Sequence, residues 1–340
     1  MSNALLPIGA LGQTPVLPRA VFITGANGFI GRVLLNRYKA LGVEVRGMDI
    51  KADPAANVVA GNLTDPDTWA AHAKGCDLFI NTAAVVSLTA DWQTYRDVSV
   101  KGVRNCLDVA IAGGAKRFLQ YSSVACLGWQ FPDQTDEKAC VVIGPDYRYG
   151  VAKGASEHAV LAAHASGEID CTIIRPGDVY GPGSRAWISV PYEMCKAGKM
   201  VLPAHGQGIF SPVYVDDLVD GTLLAVGLPE GRGQIFILSG GIPMTCLDFF
   251  TNHWHWAGRK GQPRTMSTGT AVFITRILQT VNRWLKRQDE ASPDAMYMFA
   301  RSGDFSIAKA QRLLGYQPKM DLATGLKNSE NWMRETGQFN

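Results

Sequence analysis

Short apolar stretches alternate with stretches of helical spacing over the first 180 residues. Each apolar stretch is rich in Val, Ile, Leu and Phe and ends in small or polar residues, which is typical of strands buried on both faces. The strand-like stretches are 21–24, 43–48, 57–65, 76–81, 117–123 and 171–176, and helical spacing follows at 32–38, from about 67, at 91–112 and at 149–166. This alternation predicts a doubly wound α/β fold of Rossmann type, in which a parallel sheet is covered by helices on both faces.

Beyond residue 181 the alternation weakens and aromatic residues and prolines cluster. We therefore expect an N-terminal arm at 1–19, an α/β domain at 20–180 with a return segment near 213–230, and a smaller lobe over most of 181–340. The arm has three prolines and no basic start, so it is not typical of a signal peptide. No apolar run is long enough to span a membrane, so we expect no transmembrane segment.

Three glycines join the first strand to the first helix. Gly25 permits a tight turn, Gly28 lets the backbone approach an anion, and Gly31 removes a side chain where the helix meets the strand. The helix then offers free N–H groups and the positive end of its dipole. The stretch 21–31 therefore predicts a site for the pyrophosphate of a dinucleotide.

An acidic residue closes the second strand. Asp49 lies 24 residues after Gly25 and could accept hydrogen bonds from a ribose 2′-hydroxyl, whereas its charge repels a 2′-phosphate. Arg46 and Lys51 are close enough in sequence to pair with a phosphate, so NADP is disfavoured and not excluded. We expect NAD as the cofactor.

A tyrosine and a lysine four residues apart share one face of the predicted helix at 149–166. Tyr149 and Lys153 follow a strand that ends in Ser123, whereas Tyr147 has the wrong offset to share a face with Lys153. The pKa of a free tyrosine, about 10, makes it a poor base at neutral pH, and a nearby ammonium group favours its phenolate. The three residues predict acid–base chemistry on a hydroxyl or carbonyl group, with Ser123 holding the reacting oxygen.

These motifs together resemble an extended short-chain dehydrogenase/reductase. The matching motifs are Thr24-Gly25-x-x-Gly28-x-x-Gly31, Ser123, Tyr149-x-x-x-Lys153 and Arg175-Pro176-x-x-Val179-Tyr180-Gly181-Pro182-Gly183. Within that family, 214–218, 247–250 and 305–318 are similar to the 3β-hydroxysteroid dehydrogenase and sterol-4-carboxylate dehydrogenase branch. The resemblance covers about residues 20–330.

The resemblance implies roles for further residues. Pro176 and Val179 would border the nicotinamide, and Asn62 and Leu63 would border the adenine. The other implied cofactor-binding positions are Asn27, Phe29, Ile30, Ala83 and the glycines of the turn. Three positions depart from the family pattern, with Asn62 for an aspartate, Asn81 for a histidine and Ser99 for the asparagine of the catalytic tetrad.

The stretch 271–287 is strongly amphipathic. Phe273, Ile277 and Trp284 lie on an apolar stripe with Ile274, Leu278, Val281 and Leu285, and the basic residues Arg276, Arg283, Lys286 and Arg287 lie on the other side. Such a helix packs on the substrate lobe or on a second subunit, or it lies in a membrane surface. We expect a homodimer and consider a peripheral membrane contact through this stretch.

Composition narrows the class of protein. A net charge of +3 gives no reason to expect nucleic-acid binding. The seven cysteines are scattered without C-x-x-C pairs, which favours a reducing, cytoplasmic location and argues against a zinc site. The sequence thus predicts an NAD-dependent enzyme that interconverts a secondary alcohol and a ketone on a bulky apolar substrate. A 3β-hydroxysteroid is the favoured substrate.

Two alternatives stay open at this stage. One is a reductase of a β-keto acid, a flavonoid-like ketone or an aryl ketone. The other belongs to a different class, a non-catalytic dinucleotide sensor, although a sensor has no need of both Tyr149 and Lys153.

Overall fold

The computed structural model describes residues 13–87, 89–144, 147–284 and 292–339. Its centre is a parallel sheet of seven strands in the order β11-β6-β5-β4-β1-β2-β3. The strands are β1 (Ala20–Thr24), β2 (Glu44–Asp49), β3 (Val58–Ala60), β4 (Leu78–Asn81), β5 (Arg117–Tyr121), β6 (Asp170–Pro176) and β11 (Gln234–Leu238). The order reverses between β1 and β4, which is the switch point where ligands bind in such sheets. The predicted Rossmann-type fold is confirmed.

Six helices cover the two faces of the sheet. They are α1 (Phe29–Ala40), α7 (Val215–Gly227) and α11 (Ala308–Leu314) on one face, and α2 (Ala70–Ala73), α4 (Gly102–Ala112) and α5 (Arg148–Ala165) on the other. Leu34 and Leu218 bury against one face, whereas Leu107 and Val160 bury against the other. Because both faces are covered, the strands can be apolar throughout, as their sequences are.

The remaining elements form a smaller lobe beside the carboxyl edge of the sheet. They are β7 (Asp178–Tyr180), α6 (Val190–Lys196), β8 (Val201–Leu202), β9 (Ile209–Phe210), β10 (Pro212–Tyr214), β12 (Met244–Thr245), α8 (Cys246–Trp256), β13 (Arg264–Thr265), α9 (Thr268–Trp284), α10 (Pro293–Met298) and α12 (Leu322–Glu335), and α3 (Trp92–Thr94) precedes α4. Phe210, Phe249 and Phe250 form the aromatic centre of this lobe. Within the described residues, no helix has the length and apolar character needed to cross a bilayer.

The segment 13–19 lies along the chain's own surface. The Val16 N–H donates to the Gly227 carbonyl at 3.0 Å, and Leu17 packs against the core beside α7. Residues 1–12 of the expected arm lie outside the described residues. The return segment near 213–230 corresponds to β10 and α7, and β10 pairs with β7 while α7 covers the sheet.

Candidate active site

The glycine turn connects β1 to α1 with little free space. Gly25 has φ +69°, and a Cβ there would lie 2.7 Å from Thr82 Oγ1 and 2.9 Å from the Ala83 nitrogen. A Cβ on Gly31 would lie 2.1 Å from the Gly25 carbonyl oxygen. Gly28 is the N-cap of α1 and carries no side chain to bond the first-turn N–H groups. Phe29 and Ile30 begin the helix, so their N–H groups are free to bind an anion.

Asp49, at the end of β2, is hydrogen-bonded to this turn. Its Oδ2 accepts the Asn27 N–H at 2.8 Å and its Oδ1 accepts the Ile50 N–H at 2.7 Å. The carboxylate is therefore held beside the turn at the end of β2, where a ribose bound at this edge would meet it.

Two arginines near Asp49 already have partners. Arg46 pairs with Glu44 and donates to the carbonyl of Lys74, away from the glycine turn. Arg32, which the sequence analysis did not single out, pairs with Asp53 at 2.8 Å and also donates to the side-chain oxygen of Asn27. Its helical position one turn after Gly28 is the signal that could have found it.

Asn62 and Leu63, which were predicted to border the adenine, lie in the loop that follows β3. Asn62 Oδ1 accepts the Thr64 N–H at 3.1 Å, and its carbonyl accepts Trp69 Nε1–H at 2.8 Å. Leu63 is buried against α4 through Gly102. Asn62 therefore stabilises its own turn, as an aspartate in its place would also do.

The three candidate catalytic residues come together where β5 meets α5. Ser123 follows β5 and caps a short 3₁₀ turn by accepting the Ala125 N–H at 3.1 Å. Tyr149 lies in the first turn of α5, which packs on this 3₁₀ turn. Burial raises the pKa of Tyr149 to about 12, while a hydrogen bond with Ser123 lowers it. The serine is thus near enough to the phenol to affect its ionisation.

Lys153 lies one helical turn below Tyr149 and is buried. Its Nζ donates to the Tyr121 carbonyl at 3.0 Å and lies 5.9 Å from the centre of the Tyr149 ring. Burial lowers the pKa of Lys153 to about 8. The amine is therefore fixed close to the phenol, in a setting where its charge acts with little screening.

A polar network under this site was not foreseen from the sequence. Asn81 accepts a hydrogen bond from Thr24 and donates to Gln120 Oε1 at 2.8 Å. Gln120 in turn donates to the Tyr121 carbonyl at 2.9 Å, the same oxygen that accepts Lys153. The asparagine at the family's histidine position therefore has partners on both neighbouring strands, β1 and β5.

Ser99 lies in a π-helical turn, Tyr95–Lys101, that interrupts the helix predicted at 91–112. It is buried, and its Oγ accepts the Val85 N–H at 3.4 Å. It thus holds the loop after β4.

A buried ion pair anchors α5 to the neighbouring strand. Arg175 on β6 forms two hydrogen bonds with Glu157 on α5, at 2.8 and 2.7 Å. Both side chains are almost completely buried. Pro176 ends β6, and Val179 on β7 is buried against the same core as Val213. Because the Ser122 N–H donates to the Ile174 carbonyl at 2.8 Å, the ends of β5 and β6 lie side by side.

Tyr147 is a candidate site residue that the spacing argument set aside. Its ring packs on Trp129 with a centroid distance of 4.3 Å. Its hydroxyl is buried and has no hydrogen-bond partner among the described residues. Burial, and then the charge of Tyr149, raises the pKa of Tyr147, so its hydroxyl stays protonated.

The chain is similar to curated dehydrogenases and reductases over most of its length. The chain is 28% identical over 322 residues to a 3-beta-hydroxysteroid dehydrogenase from Mycolicibacterium neoaurum, covering 88% of this chain and 87% of that protein. It is 26% identical over 315 residues to 4-hydroxy-2-methyl-3-oxo-4-farnesyl-3,4-dihydroquinoline-1-oxide ketoreductase from Stigmatella aurantiaca, covering 90% and 94%.

The fold has a clear relative among solved structures. An epimerase from Methanothermobacter thermautotrophicus superimposes with a TM-score of 0.76 at 19% identity, covering 94% of this chain and 93% of the other. Residues 21–238 match the family described as the NAD dependent epimerase/dehydratase family. The glycine turn, the Tyr149–Lys153 pair and this match lead to one conclusion: the chain belongs to the NAD-dependent epimerase/dehydratase family, the extended short-chain dehydrogenases/reductases.

Proposed function

We propose that this protein is an NAD-dependent oxidoreductase that interconverts a secondary alcohol and a ketone on a bulky apolar substrate, a 3β-hydroxysteroid or its 3-ketone. The observation that carries the proposal is the packing of α5 on the turn that Ser123 caps, with the buried Lys153 Nζ 5.9 Å from the centre of the Tyr149 ring. A phenol, a hydroxyl and an ammonium in this order are suited to moving one proton at an alcohol oxygen.

In the oxidative direction, Tyr149 Oη accepts the proton of the substrate hydroxyl. Ser123 Oγ–H donates to the substrate oxygen and holds it against the phenol. Lys153 Nζ stabilises the phenolate and can also bond the ribose of the cofactor, since the amine has donors beyond the one given to Tyr121. Bound NAD supplies the acceptor for the hydride that leaves the carbinol carbon.

An apolar substrate is supported by the lobe beside this edge. The lobe is built around aromatic side chains such as Phe210, Trp187 and Phe249. The 3-beta-hydroxysteroid dehydrogenase relative and the ketoreductase relative, whose named substrate carries a farnesyl chain, favour the same class of substrate. The ketoreductase also keeps a reductase of a different ketone as the second candidate.

NAD is the proposed cofactor because Asp49 lies at the end of β2 and Arg32 is already paired with Asp53. Wild-type protein is expected to have a higher kcat/KM with NAD than with NADP. Asp49→Ala should narrow that difference because it removes the charge that repels a 2′-phosphate. Steady-state kinetics with both cofactors test this, and a wild-type preference for NADP would overturn the assignment.

The remaining predictions about partners and location belong to this proposal. We expect a homodimer in the cytoplasm and no nucleic-acid partner, and we consider a peripheral membrane contact through 271–287.

The deciding experiment is a substrate panel. 3β-, 3α- and 17β-hydroxysteroids and their ketones are offered with NAD or NADH, and the nicotinamide absorbance is followed. NADH formation that depends on a 3β-hydroxysteroid supports the proposal. Turnover of aryl ketones or β-keto acids alone would favour the second candidate. Tight NAD binding without turnover of any of these compounds would favour the other alternative, a non-catalytic dinucleotide sensor.

A further inference from the structure

Helix α9 presents its apolar stripe to solvent. Phe273 is 65% exposed, Ile277 48% and Trp284 83%, and Ile274, Leu278 and Val281 are exposed as well. The side that packs on the protein is narrow and consists of Ala271, Val272 and Thr275. One residue of the predicted stripe, Leu285, lies outside the described residues. The basic residues Lys286 and Arg287, predicted on the other side of the helix, also lie outside them. Single exposed apolar residues are ordinary, but six on one helix face mark an interaction surface.

The segment that carries this helix is strongly basic. Residues 259–287 contain seven Lys or Arg and no Asp or Glu. The rest of the chain holds 26 Lys or Arg and 30 Asp or Glu, so it is slightly acidic. Exposed basic residues, among them Lys260, Arg264 and Arg276, thus occur in the same segment as the apolar stripe, and this combination suits a surface that is both apolar and anionic.

Helix α9 packs against α10, which carries Asp294 in its first turn. The charge of Asp294 acts on Tyr95 and Tyr147, whose pKa values are raised by burial first and then by the charge of Tyr149. The carboxylate on α10 is therefore within electrostatic range of two tyrosines near the candidate active site.

Two further large apolar residues are exposed in loops of the α/β layer. Val86 is 75% exposed in the loop after β4, and Ile143 is 91% exposed in the segment that leads into α5. Both segments follow the carboxyl ends of sheet strands, as the candidate active site does.

We propose that the exposed stripe of α9 docks on the surface of an anionic lipid bilayer. The apolar side chains enter the boundary between headgroups and acyl chains, and exposed basic residues of the same segment, such as Lys260, Arg264 and Arg276, meet anionic headgroups. The docked enzyme then meets an apolar substrate where that substrate is dissolved; only this last point rests on the proposed function.

A second copy of the chain is a poorer partner for this surface. In a two-fold dimer the same patch occurs on both subunits. Docking stripe to stripe would bring together two segments that each carry seven basic residues and no acidic ones. Like charges oppose such an interface, whereas they favour an anionic membrane.

The test is sedimentation with vesicles, without substrate or cofactor. Full-length protein is mixed with vesicles of phosphatidylcholine alone, or of phosphatidylcholine with about one quarter phosphatidylglycerol. We expect binding to the anionic vesicles, weaker binding at about 1 M salt, and little binding to the neutral ones. Protein that stays in the supernatant with anionic vesicles at low salt would overturn the proposal.

A pair of variants ties binding to the stripe. Ile277→Asp with Trp284→Asp should lower the bound fraction by about tenfold or more. The matched control, Ala323→Asp with Asn331→Asp, adds the same charge at exposed positions of α12 and should still bind. Equal binding by both variants would overturn the assignment to α9. So would light scattering that shows a dimer dissociated only by the stripe variant.

Folding and function are checked separately. Both variants should keep the NAD affinity and melting temperature of the wild type, because their sites are exposed. Loss of either by the stripe variant would transfer the test to Trp284→Ser, which adds no charge and must still weaken binding to the anionic vesicles. Failure of steroid turnover with intact vesicle binding would refute the proposed function and leave the docking surface in place.

Discussion

Helices α5 and α9 have almost the same length, 18 and 17 residues, and opposite relations to water. Helix α5 buries Lys153, Ser156 and Glu157, whereas α9 exposes six large apolar side chains. Each buried polar group of α5 has a partner: the Tyr121 carbonyl, the Lys153 carbonyl and Arg175. The unfavourable free energy of burying these groups is thus offset locally.

The difference shows what a hydrophobic pattern can and cannot predict. Helix α9 has the clearer apolar stripe, yet the stripe faces solvent. Helix α5 has a mixed pattern, yet it packs on the sheet from Val160 to Ala163. Periodicity predicts which residues share a face, and the partners available in three dimensions decide what that face contacts.

The largest expected effect lies on α5. Tyr149→Phe removes one oxygen from the site, so kcat should fall by about 10²–10⁴ because general acid–base catalysis is lost. The dissociation constant of NAD should stay the same, as measured by fluorescence titration. The control is Tyr192→Phe, the same change at a buried ring of the lobe, which should keep its activity. Near-normal turnover by Tyr149→Phe would mean that another group moves the proton.

The buried ion pair offers the next test. Glu157→Gln leaves the guanidinium of Arg175 buried without a charged partner. The free energy of unfolding should fall by about 3 kcal/mol, measured by urea denaturation. Glu230→Gln, at an exposed position, should change it little. If both variants are equally stable, the pair does not hold α5 on the sheet.

The pH dependence tests the link between Lys153 and Tyr149. Alcohol oxidation needs the phenolate, and burial raises the pKa of Tyr149, so kcat/KM should rise with pH across the range from about 7 to about 10. Lys153→Met removes the ammonium that favours the phenolate, so the rise should move to higher pH and cofactor binding should weaken. Lys153→Arg, which keeps the charge, should move it less. A profile that is unchanged in Lys153→Met would contradict the coupling.

The smallest expected effect is on α9 itself. Val281→Ala removes a side chain that is 44% exposed, so the free energy of unfolding should change by no more than about 0.5 kcal/mol. The same substitution at Val160 of α5, which is 0% exposed, should lose on the order of 2 kcal/mol. Equal losses would mean that the stripe is packed in the folded protein in solution.

Much of this molecule follows from local sequence. The strands, the glycine turn and the spacing of Tyr149 and Lys153 could be predicted because each depends on neighbours within a few residues. The pairing of Arg175 with Glu157 could not, since it depends on how α5 lies across β6. The position of Asn81 is similar, because its partners come from β1 and β5.

Two local expectations changed for the same reason. The stretch 91–112 has unbroken helical spacing, but the structure contains a π-helical turn over Tyr95–Lys101. Arg46 is near Asp49 in sequence, but it pairs with Glu44 instead, because alternate residues of a strand point to the same side.

The edge strand β11 has a consequence for how the chain folds. It comprises residues 234–238, which follow several elements of the smaller lobe in the sequence. It pairs with β6, residues 170–176. Helix α11, from residues 308–314, then covers the same sheet. Segments of the smaller lobe therefore alternate along the chain with segments of the α/β layer. A fragment ending near residue 180 would lack both β11 and α7. We expect the two regions to unfold together in one cooperative transition, and folding to be slow because these pairings join distant parts of the chain.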